Sequence, residues 1–144
     1  MKDMPEEFWQ GVEQFNQQEF YACHDTLEAI WINALPDEKN FYQGILQIAV
    51  ALHHLSNYNW RGAVILMGEG TNRLRTYQSD YGGIDVDRFV DETGVLLKQL
   101  QVAGPDRVEA IAQQLGLSST DNVNFSAPEA LQLPRIQKWG MSNG

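Results

Sequence analysis

Apolar residues recur at helical spacing along most of this chain, and prolines, glycines and turn-forming residues divide the pattern into five longer segments and a short sixth. Phe8, Val12 and Phe15 share one side of a predicted helix over residues 5–16, with Pro5 in its first turn. A second helix is predicted over residues 18–34. It stops at Leu35-Pro36, because the residue before proline disfavours the helical conformation. Asp37 caps a predicted third helix reaching about residue 57, and a fourth runs over residues 59–77. Ser79-Asp80-Tyr81-Gly82-Gly83 has turn chemistry, after which Asp85 caps a fifth helix along Val86, Phe89, Val90, Thr93, Leu96, Leu97 and Leu100. Gly104-Pro105-Asp106 breaks the pattern again, and residues 105–115 form a short helix closed by Gly116.

The expected fold is therefore all-α, a single-domain helical bundle of about five main helices plus a short one. Residues 1–104 make the bundle. Residues 105–144 make a C-terminal helix and an extended strap: 118–124 are polar, then Pro128 and Pro134 are interleaved with Phe125, Leu131, Leu133, Ile136 and Trp139. So many large apolar groups predict packing over the bundle or over a second subunit.

The third helix is apolar nearly all round, which predicts burial on most sides, and Gly44, Ile48 and Ala51 form a thin strip for close approach of another helix. Polar residues stand out against this background. Gln43, Gln47 and His54 lie along one row, and His53 along another. On the second helix Phe20, His24, Leu27, Glu28 and Trp31 point to roughly one side, which sends an imidazole and a carboxylate towards the core together. Such groups need partners when buried. The expectation is a pocket between helices formed by His24, Glu28 and Trp31 with Gln43, Gln47 and His54.

Composition narrows the function. Hydrophobic residues at 43% and charged residues at 20% place the chain in the globular class. A net charge of −9 argues against nucleic acid, whose phosphates demand clustered Lys and Arg. The densest positive group, Arg61, Arg73 and Arg75, reads as a solvated helix face. A lone cysteine, Cys23, and an acidic N-terminus without a signal-like apolar core suit a cytoplasmic location. No apolar run approaches the roughly 20 residues needed to span a bilayer. Cys23 reads as a small buried apolar residue, and Trp9, Trp31 and Trp60 as packing anchors. HExxH, Glu-x-x-His, glycine-rich phosphate loops and a nucleophile elbow are all absent.

The ordered strings F-N-x-x-E-F-x-x-x-H-D-x-L-E-x-x-W (Phe15 to Trp31), F-Y-Q-G-I-L-Q-I-A-V-A-L-H-H (Phe41 to His54) and N-W-R-G-A-V-x-L (Asn59 to Leu66) resemble domain-of-unknown-function family 309. The resemblance covers roughly residues 8–78. It implies a small all-α bundle, catalogued in places as a predicted metal-dependent hydrolase without an established substrate. The motif positions carried over are His24, Glu28, Gln43, Gly44, Gln47 and His54, with Gly62 and Ala63 as packing positions. One departure is visible: the family usually reads His-Glu where this chain has His24-Asp25.

Two functional readings remain open. In the first, a metal-dependent hydrolase-like enzyme acts on a small-molecule substrate. His24, Glu28 and His54, with His53 in place of His54 and Asp25 as further candidates, hold one divalent metal ion, and Gln43 and Gln47 orient a substrate oxygen. A metal-free variant uses a buried Glu28 as general base beside His24. In the second, the pocket is a satisfied structural network of a non-catalytic helical adaptor, a homodimer whose Trp-bearing strap binds a partner.

Overall fold

The computed structural model describes residues 4–117 and 131–140. Six α-helices follow one another: α1 (Glu6–Asn16), α2 (Phe20–Trp31), α3 (Pro36–Ser56), α4 (Trp60–Leu74), α5 (Val86–Ala103) and α6 (Val108–Gln114). Short 3₁₀ turns at Tyr81–Gly83 and Pro105–Arg107 precede the last two. The fold is all-α, and among the described residues the sole β pairing is an isolated antiparallel bridge between Ile84 and Lys138.

Local chemistry explains the boundaries. Asp85 accepts a hydrogen bond from the Arg88 backbone N–H at 3.1 Å, and Asn59 accepts one from Gly62 at 3.0 Å, so both act as N-caps. Pro36 departs from expectation. It occupies the first turn of α3 behind Leu35, where a missing N–H costs nothing, so Asp37 lies inside the helix and α2 stops earlier, at Trp31. The turns after α1 and α3 each contain one non-glycine residue in the left-handed region, Gln18 and Tyr58, which lets three-residue connections reverse the chain.

Helix α3 is central, packed by α2 on one side and α4 on the other, with α6 against it as well. Residues 44–49 are buried without a break, in every direction around the helix axis. The small-residue strip works as expected: a Cβ placed on Gly44 would lie 3.2 Å from the Gly70 carbonyl oxygen, and one on Gly70 would lie 2.8 Å from the Gly44 oxygen. Only two glycines permit α3 and α4 to cross so closely. Aromatic packing closes the other end, where Phe15 meets Phe20 and Phe89 edge-on, each at 5.3 Å. Trp60 joins α4 to α5 by donating to the Leu100 carbonyl at 2.8 Å.

Residues 131–140 run extended over the chain's own bundle. Ile136 is buried, Leu131 and Leu133 pack against the core, and Trp139 remains half exposed. The polar stretch 118–124, Phe125 and Pro128 lie outside the described residues.

Candidate functional site

Helix α2 buries Phe20, Cys23 and Leu27. That stripe sets the orientation of its neighbours: His24 and Glu28, one position further along, fall on the flank instead of the core face. His24 keeps 29% of its side-chain exposure, and Glu28 is exposed. The expected burial of this pair is thus corrected, and with it the metal-free variant, which needed a desolvated Glu28 carboxyl. Large apolar groups at 20, 23 and 27 outcompete the polar pair for the interior.

The flank position opens onto a cavity of about 280 Å³ between α2, α3 and α4. Its walls are His24, Glu28, Trp31, Gln43, Leu46, Gln47, Val50 and Leu66. The structure brings His24, Glu28, Trp31, Gln43 and Gln47 around one space. His54 is not among these walls. It lies seven residues past Gln47, two turns or about 10 Å along the axis, at the α3–α4 turn, with Nδ1 3.2 Å from Asn59 Nδ2. His53 is the histidine that meets α2, its ring stacked on Tyr21 at 4.8 Å.

Ligand atoms of His24, Asp25 and Glu28 lie within 4.8 Å of one another, with His24 Nδ1 3.5 Å from Asp25 Oδ1; His24 and Glu28 line the cavity, whereas Asp25 is exposed and is not among its walls. One imidazole nitrogen and two carboxylates from a single helical turn suit a divalent cation, and three donors leave positions for water or substrate. The donor chemistry fits a metal.

The polar network between α3 and α4 runs elsewhere. Gln47 is buried; its Nε2 donates to Glu69 Oε1 at 2.9 Å and its Oε1 accepts from Arg73 Nε at 2.9 Å. Arg73 also donates through Nη1 to Asn40 Oδ1. Arg73 is therefore half-buried between α3 and α4, not part of a solvated face. Sequence reasoning does not single out Glu69 or Asn40 and takes Arg73 for a solvated residue; the available signal is the spacing of Glu69 and Arg73, one turn apart on α4. No hydrogen bond among the described residues engages the side chains of Glu28 or Gln43.

Cys23 carries no chemistry here. Burial pushes its thiol up to about 12, leaving no thiolate at neutral pH. Trp31 forms one cavity wall while its ring lies 4.6 Å from Lys39 Nζ.

An all-α bundle domain with a half-polar cavity between its second, third and fourth helices is the class that fold and site define. Residues 8–66 match the profile of the family described as a domain of unknown function (DUF309), so this part of the chain is similar to that family. The match ends short of the expected residue 78, but it contains every residue that lines the cavity. The chain is also similar to the "Uncharacterized protein YpuF" of Bacillus subtilis (strain 168), 33% identical over 84 residues. The aligned part is 58% of this chain and 45% of the relative, so the chain spans less than half of that protein's length. No solved structure matches the chain. No helix among the described residues is long and apolar enough to cross a membrane.

Proposed function

We propose that the α2–α3–α4 cavity is the working site of this protein, with a divalent cation held by His24, Asp25 and Glu28 at its mouth and a small-molecule substrate seated inside. One observation carries the reading. The part-buried network of Asn40, Arg73, Gln47 and Glu69 is complete without His24, Glu28 and Gln43, so Glu28 and Gln43 face the cavity with no hydrogen bond among the described residues, and His24 meets only the exposed Asp25 beside it. Leu46, Val50, Leu66 and the indole of Trp31 supply apolar walls. The Gln43 amide, which both donates and accepts, orients a substrate oxygen. Gln47, fixed by Arg73, keeps its wall rigid.

A cation so placed would polarise a substrate oxygen and lower the pKa of an attacking water, which is hydrolase-like chemistry. The adaptor reading needs His24 and Glu28 to be structural, and their lack of bonds to Gln43 and Gln47 speaks against that.

The test is metal content by elemental mass spectrometry on chelator-free protein, beside a His24→Ala control. Stoichiometric metal in the native chain and none in the control supports the proposal. Equal metal in both, or none in either after incubation with zinc, manganese or iron(II), refutes it.

A further inference from the structure

We propose that the groove holding residues 131–140 is a peptide-binding surface whose partner is the same segment of a second copy of this chain, so that two chains exchange straps. The hydrogen bonds that seat the segment are addressed mostly to its main chain. Asn16 accepts from the Ile136 N–H through Oδ1 at 2.9 Å and donates to the Ile136 carbonyl through Nδ2 at 2.8 Å. Glu92 Oε1 accepts from the Arg135 N–H at 3.0 Å. Asp85 N–H donates to the Gln137 carbonyl at 2.8 Å, and Trp139 N–H to the Gly83 carbonyl at 2.9 Å, on either side of the Ile84–Lys138 bridge. Ile136, at 2% exposure, is the most deeply placed apolar side chain, with Pro134 buried two residues before it and Leu131 and Leu133 packed against the core. Lys138 adds a cation over the Trp9 ring at 5.0 Å.

Main-chain pairing combined with apolar anchors is how extended peptides are captured by strand addition. Nothing in that contact set requires the segment to belong to the same chain. Residues 118–130 separate Leu117 from Leu131, and a stretch of that length spans up to about 46 Å, against a diameter of about 35 Å for a domain of this size. A neighbouring groove is within reach. Because groove and ligand sit on one polypeptide, mutual exchange is self-complementary and closes as a twofold dimer. The groove shares no residue with the walls of the His24 cavity, so the proposal stands apart from the metal reading.

Complementation tests it in the full chain. Asn16→Ala weakens the groove and keeps the strap; Ile136→Asp spoils the strap and keeps the groove. Neither variant alone should dimerise, whereas an equimolar mixture at high concentration should give a species of twice the mass by light scattering. The native chain should pass from one to two copies as concentration rises. A fluorescent peptide of residues 131–140 checks the groove: it should saturate the Ile136→Asp chain and bind about tenfold or more weakly once Asn16→Ala is added. A mixture and a native chain that stay at single-copy mass, or a peptide that shows no saturation, would overturn strap exchange.

Discussion

The Arg73 guanidinium donates from Nε to the Gln47 side-chain oxygen at 2.9 Å, so a residue that lines the cavity is held by α4 and not by α2. Gln47 is buried with both ends of its amide engaged, and removing it leaves Arg73 short of an acceptor. Gln47→Ala is expected to cost about 1–3 kcal/mol in urea unfolding. Arg73→Ala should cost a similar amount, and the double variant less than the sum, with a coupling of about 0.5 kcal/mol or more. Strict additivity would mean that the bond does not operate in solution.

The crossing of α3 and α4 offers a second test. A methyl on Gly70 meets the Gly44 backbone oxygen at 2.8 Å, and backbone cannot rotate away. Gly70→Ala should therefore destabilise by about 1–3 kcal/mol through overpacking. Two residues earlier, Gly68 faces open space, so Gly68→Ala should be neutral or stabilise by up to about 1 kcal/mol from helix propensity. Equal effects of the two changes on the urea midpoint would contradict the close crossing.

Alkaline pH should unfold the protein earlier than its acidic composition suggests. Burial raises the Cys23 thiol from 9.0 to about 12 and, with help from nearby Glu38 and Tyr81, the Tyr42 phenol from 10.0 to about 12. Tyr77 and Tyr81 are raised as well, mainly by burial. Each group binds its proton more tightly folded than unfolded, so its stabilising contribution is intact below the unfolded value and declines as pH rises towards the folded one. The account predicts a plateau below about pH 9 and a falling limb between about pH 9 and 12. Cys23→Ala combined with Tyr42→Phe should make that limb shallower; an unchanged slope would remove both groups as its cause.

His24 and Glu28 should matter little for folding. Glu28 is exposed and its side chain makes no hydrogen bond among the described residues, so Glu28→Gln is expected to change stability by less than about 0.5 kcal/mol. A loss of several times that amount in urea would place Glu28 in a structural network after all.

The helices are legible in the sequence because each one carries an apolar stripe and most ends carry a cap or breaker. Asp85 and Asn59 act where their chemistry says they should. Pro36 misleads because proline both ends one helix and begins the next, and only packing decides which boundary it marks. The residues of the cavity can be read from the row Gln43, Gln47 and the neighbours His24, Glu28, since those spacings are local. Their partners cannot. Whether Gln47 turns to α2 or α4 depends on how three helices rotate about their axes, which single-helix periodicity does not contain. The same indeterminacy put His54 in the pocket, where axial distance excludes it, and left Arg73 on the surface.

Calorimetric titration of chelator-treated protein with manganese or zinc tests the central claim most directly, comparing the native chain with Glu28→Gln and His54→Ala. The account predicts one ion per native chain, unchanged binding in His54→Ala, and loss in Glu28→Gln without loss of thermal stability. Undiminished binding in Glu28→Gln, or loss confined to His54→Ala, would contradict it.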